Sequence, residues 1–220
     1  MQWVVYLSPS GGQRRPGVVD DGCVHGYPGV EDLQELLNTP REQLLSAHGR
    51  ALAEPTEIIV EFEARLCAPL QPSVMVWPGP DREHHLDPQL VVGTDDGVVA
   101  PSGESSLSMQ LGLATAPWGQ SSGFAHAPAC LWRRGDGSPV ALTVGPALTL
   151  TDTGFAAGQE LVATVGAETV ARLELSELAV REATASIVEF AGAAPTVELG
   201  AELHVDAAHL GEFEVRLAGG

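Results

Sequence analysis

The chain contains no lysine: all eleven of its basic residues are arginine. This excludes a lysine Schiff base, a lysine general base and a Walker-type phosphate loop, which needs its lysine. Basic residues are scarce altogether, eleven against 29 acidic ones, for a net charge of −18. Binding to DNA or RNA requires a basic footprint for the phosphates, so no nucleic-acid partner is expected. Asparagine is confined to Asn38, and losing Lys and Asn together matches a GC-rich coding bias. The cysteines Cys23, Cys67 and Cys130 are odd in number and far apart, which fits reduced thiols rather than a disulfide framework or a zinc site. No apolar run approaches the roughly 18 residues that a membrane span requires. Met1 to Tyr6 lacks the basic and apolar regions of a secretion signal, so a cytoplasmic protein with no membrane partner is expected.

What remains is 220 residues with 44% apolar content, enough for a sizeable core. Gln2 to Leu7 predicts a strand with a return near Val18, and Val30 to Leu37 a pair of helical turns. Thr39-Pro40-Arg41-Glu42 has the form of a capping box that opens a helix to about Ala53. Glu57 to Glu63 predicts a strand. Beyond Pro69 the pattern becomes short strands punctuated by Gly, Pro and Asp. Pro117 to Pro139, rich in Gly, Ser and Ala, is expected to be loop. Gly166-Ala167 is a two-residue hairpin signal between Val165 and Glu168. Ser176 can cap a helix to about Phe190, whose acids Glu174, Glu177 and Glu182 would form a solvated face. Glu202 to Leu217 predicts a closing hairpin. The expected fold class is α+β, mainly β, with a small N-terminal α+β module over residues 1–68 and a β domain over 69–220.

Several segments, in order, resemble the fumarylacetoacetate hydrolase superfamily. The beginning, through Gly17-Val18-Val19-Asp20 and the helices, is similar to that family's N-terminal module. Ala64-Arg65-Leu66-Cys67-Ala68-Pro69-Leu70 with Pro72-Ser73 resembles its "LLAPV-x-RPS" segment. Gly79-Pro80-Asp81-Arg82-Glu83-His84-His85 stands where the family has G-x-N-Y-x-x-H. Gly93 to Pro101, Ala141 to Leu150, Val165 to Glu168 and Leu199 to Phe213 resemble its later motifs. The likeness runs over nearly the whole chain and implies a fumarylacetoacetase-like twisted β-roll that pairs as a homodimer through its β domain and takes a small-molecule substrate.

The departures bear on the chemistry. The family holds a divalent cation on an E-x-E pair and a later Asp, because a hard octahedral cation needs clustered oxygen ligands. The E-x-E positions fall on Gln110 and Gly112, and the segment carrying the third acid and a catalytic lysine is shortened to the stretch from Trp118 to Trp132. No metal and no cofactor are therefore expected. His85 keeps the family's residue type. It reads as a general acid or base helped by Asp81, Glu83 or Asp87, or else as a surface histidine of a polar loop. Arg82, in place of the motif tyrosine, could bind a carboxylate or enolate oxygen, or simply be an exposed arginine. Trp77, Gln110, Trp118, Phe124 and Trp132 are substrate-binding candidates; the aromatics near His126 would cover an apolar cavity or fill the gap left by the shortening. Glu61 and Glu63, with Asp95 and Asp96, are a substitute cation site or solvated acids. No Ser-His-Asp or Cys-His set is supportable, since Cys130 has only His126 nearby in sequence.

Three functional readings follow. One is a metal-independent enzyme that isomerises, tautomerises or cyclises an unsaturated or 1,3-dicarbonyl small molecule, in a setting such as natural-product biosynthesis. A second is a non-catalytic relative that binds a ligand or partner. The third is a hydrolase or decarboxylase with a displaced metal site.

Overall fold

The computed structural model describes residues 1–77, 83–119, 123–151, 155, 158–178 and 185–220. The first strands are β1 (Gln2–Leu7), β2 (Arg14–Asp20) and β3 (Cys23–Gly26), followed by helices α1 (Leu33–Leu37) and α2 (Arg41–Ala53). Short strands come next: β4 (Ile58–Val60), β5 (Leu66–Cys67), β6 (Val74–Val76), β7 (Glu83–His85), β8 (Val91–Val92) and β9 (Val98–Ala100). Two long strands, β10 (Ser106–Trp118) and β11 (Gly123–Arg133), precede β12 (Pro139–Val144) and β13 (Leu148–Thr151). The chain closes with β14 (Glu160–Val165), β15 (Glu168–Glu174), β16 (Ile187–Phe190), β17 (Thr196–Glu198), β18 (Glu202–Asp206) and β19 (Glu212–Gly219).

The larger sheet runs β4-β3-β2-β1-β13-β11-β10-β16-β6-β7, and the smaller one β15-β14-β18-β19-β9. Their axis is the β10–β11 hairpin, paired from Ser108↔Arg133 to Trp118↔Gly123. Alternation along it feeds two cores. Leu107, Met109, Leu111 and Leu113 join Cys130, Trp132 and the smaller sheet. Ala114, Ala116 and Trp118 join Ala125, Ala127, Ala129 and Leu131, capped by Leu33, Leu36, Leu37 and Leu44 of the two helices. The first strand enters the same sheet, with Gln2 opposite Thr149 of β13.

Four expectations need correction. The stretch from Pro117 to Pro139 is not loop throughout: its middle is the 11-residue strand β11, which is buried on both faces and therefore shows no polar–apolar alternation. The helix from Ser176 to Phe190 does not form at its far end. A 3-10 turn spans Leu175–Glu177, residues 179–184 lie outside the described ones, and Ile187–Phe190 is strand β16, wedged between β10 and β6. Its β-branched Ile187 and Val188 and its aromatic Phe190 suit a pleated, buried surface. The capping box lies at α1 rather than α2: Asp32 accepts from the Glu35 amide while the Glu35 side chain accepts from the Asp32 amide. Thr39 Oγ1 instead donates to the Leu36 carbonyl at 2.7 Å, and α2 starts behind Pro40 without a side-chain cap. The Glu57–Glu63 strand is shorter than expected, with Glu61–Glu63 turning as a 3-10 helix. The hairpin at Gly166 and the closing hairpin form where the sequence predicts them.

Candidate functional site

Gln110 and Gly112 lie two residues apart on β10 and so share the face of Ala114 and Trp118. Gly112 stands opposite Ala129 on one side and Phe190 on the other. A Cβ there would lie 2.7 Å from the Glu189 carbonyl oxygen and press into the Phe190 ring. Only a residue without a side chain lets β16 approach so closely.

The last residue of β11, Arg133, reaches the same face, and its Nη2 donates to Gln110 Oε1 at 2.6 Å. Gln110 Nε2 donates in turn to the Gly192 carbonyl at 3.4 Å. The Arg133 guanidinium carbon lies 4.8 Å from the ring centre of Trp77, which itself stacks on Phe190 at 4.8 Å and 28°. Arg133 Nε is buried without a partner. Burial pulls the guanidinium's pKa below its ordinary value, yet arginine keeps its charge at neutral pH. The site is thus a cation braced by a neutral amide and an indole.

A divalent cation, which the family resemblance implies, does not fit these residues. The side-chain oxygen of Gln110 is taken by a positive group, and Gly112 offers neither a donor nor room for one. The alternative acids are committed elsewhere. Asp95 accepts from the Leu66 amide, and Asp96 accepts from the Gly93 amide and pairs with Arg65 at 3.3 Å. Among the described residues no group of His, Cys, Asp or Glu is arranged to hold a metal ion.

The other sequence-predicted residues scatter. Asp81 and Arg82 lie outside the described residues. His85 is exposed on β7, the last strand of the larger sheet, opposite Val74. Its neighbour His84 stands opposite Met75, whose partner Val188 belongs to the core beneath Gln110. Register therefore puts His84, rather than His85, on the face that carries Gln110 and Trp77. Asp87 is engaged as a cap, accepting from the Gln89 amide at 2.9 Å.

Trp118 and Trp132 are both buried but pack into different cores. Trp118 Nε1 donates to the Thr151 carbonyl, and Trp132 Nε1 donates to Thr143 Oγ1 at 3.2 Å. Phe124 sits on the Trp132 face with His126, ring centres 6.2 Å apart. His126 is 1% exposed, shares a hydrogen bond between Nδ1 and Thr115 Oγ1 (3.1 Å), and lies 4.7 Å from the Phe155 ring. Burial pulls its pKa down to about 4, with the charge of His209 adding to the effect. Of the sequence candidates, the structure brings together Gln110 and Trp77. Sequence reasoning missed Arg133; the signal that could have found it is a charged residue ending an apolar strand next to the Gln110 register.

No protein-family model matches the sequence, and no curated protein matches it. Solved structures do share its fold. Maleylpyruvate hydrolase from Sphingobium sp. SYK-6 superposes with a TM-score of 0.74 at 16% identity over 100% of both chains. The same protein in complex with manganese(II) and pyruvate gives 0.72 at 17%. A probable 2-hydroxyhepta-2,4-diene-1,7-dioate isomerase from Mycobacterium abscessus gives 0.70 at 17%, over 100% of this chain and 99% of that one. At such identities the likeness establishes the fold.

Proposed function

We propose that this chain, which has the fold of fumarylacetoacetase-like hydrolases and isomerases, is a metal-independent enzyme acting on an unsaturated or 1,3-dicarbonyl small molecule. Its reaction would be an isomerisation, tautomerisation or cyclisation. The observation that carries this reading is the contact of Arg133 with Gln110 Oε1 at 2.6 Å, beside a Gly112 that has no donor. Enolisation next to a carbonyl needs stabilisation of the oxygen that becomes negative. Preorganised donors and a fixed positive charge supply it as a Lewis acid would, most strongly where water is excluded. Holding the substrate in one orientation and moving one proton complete such a reaction. His84 and His85 are the proton carriers to test, His84 by its face and His85 by its motif position.

The experiment follows the tautomerisation of 2,4-dioxopentanoate by ultraviolet absorbance in excess EDTA. The expected result is a rate above buffer that EDTA leaves unchanged and that His84→Ala or His85→Ala lowers. A rate that needs added Mn2+ or Mg2+ would overturn metal independence. No rate above buffer would overturn catalysis and favour a non-catalytic ligand-binding relative, a reading that the exposure of both histidines on β7 also supports.

A further inference from the structure

In this acidic chain several arginines are matched with carboxylates. Arg65, Arg134, Arg172 and Arg216 lie 2.7–3.7 Å from Asp96, Glu104, Glu160 and Glu202 respectively. Arg133 is different. Its side-chain acceptor is the neutral Gln110, its Nε is buried without a partner, and among the described residues no carboxylate lies within ion-pair distance of it. A cation that loses hydration is ordinarily compensated by an anion or by a full set of acceptors. The Trp77 ring attracts the charge but accepts no strong hydrogen bond. Gln110, tied at its other end to the Gly192 carbonyl, fixes the plane of the guanidinium through one nitrogen. Among the described residues no other side-chain hydrogen bond of Arg133 is formed.

We infer that Arg133 is the anion-recognition residue of this site and takes a planar carboxylate. The inference rests on the functional reading above and deepens it by fixing the charge and shape of the group recognised. Arginine suits the task because its rigid fork matches the two oxygens of a carboxylate, whereas lysine offers a point charge. Gln110 acts as a positioning residue, holding the fork without neutralising it.

The competing account makes Arg133 a brace that merely packs Trp77 against β10, and anion binding separates the two. Oxalate, a small planar dicarboxylate, is titrated calorimetrically in EDTA into the wild type, Arg133→Lys, Arg133→Gln and Arg134→Gln. The expected result is saturable binding to the wild type and to Arg134→Gln, about tenfold or more weaker in Arg133→Lys and lost in Arg133→Gln. Arg133→Lys keeps the charge and stem, so its weakening with unchanged thermal unfolding reports the fork and not the fold. Absence of binding to the wild type, equal binding to Arg133→Gln, or equal loss in Arg134→Gln would overturn the inference. Binding is read without turnover. Intact Arg133-dependent binding in a protein without tautomerase activity fails the enzyme reading alone. Activity alongside oxalate binding indifferent to Arg133 fails this inference alone.

Discussion

Acidification should destabilise this protein through one buried imidazole, His126. In the folded state its proton affinity is depressed to about 4 from the ordinary 6.5, because burial beside Phe155 removes the water that would solvate the cation. The unfolded chain takes up a proton as pH falls through 6.5, while the folded chain resists until near 4. The stabilisation is therefore complete above 6.5, declines as pH drops from 6.5 towards 4, and is fully lost below that. At about 1.4 kcal/mol per tenfold in proton affinity, the interval amounts to about 3 kcal/mol. For a chain of this size that is a fall in Tm of about 6–12 °C.

The assay compares urea unfolding of the wild type with His126→Gln at several pH values between 7 and 4.5. Glutamine keeps a polar partner for Thr115 Oγ1 but does not titrate. His48, also depressed by burial, and the carboxylates are common to both proteins and cancel in the difference. The wild-type advantage should shrink steadily as pH falls. A constant difference between the two proteins across that range would refute the reasoning.

Two further outcomes can be checked directly. Gly112→Ala should cost about 1–3 kcal/mol in urea unfolding, because the added methyl must displace the Phe190 ring or the Glu189 backbone; an unchanged midpoint would mean that β16 shifts freely. Light scattering should give the mass of a homodimer, and a value near a single 23.0 kDa chain would refute pairing.

Much of the fold was legible where one local rule sufficed. The Gly166 turn has positive φ (+57°) and joins strands in the register the sequence suggests. Helix α2 announces itself by composition and Pro40. Strands β11 and β16 were not legible, because in β11 burial on both faces replaces alternation with Ala, Pro and Cys runs, and because a segment as short as Ile187–Phe190 fits helix and strand equally well. At the site, Gln110 and Gly112 could be singled out by their place in a pattern. Arg133 showed only as a charge ending an apolar strand, and its meeting with Gln110 depends on the β10–β11 register, which pairs Arg133 with Ser108 and Leu131 with Gln110.

The pairing of Gln2 with Thr149 also orders events in time. Strand β1 leaves the ribosome well before its β13 partner, which lies about 140 residues further along the chain. At translation speeds of about 5–20 residues per second, that edge of β1 waits for many seconds without its neighbour. β5 lies along that edge through Val5↔Cys67 and can cover part of it sooner, while β2 pairs the opposite edge through Trp3↔Val18. Closure of the large sheet, dominated by such distant contacts, is a late and slow step of folding.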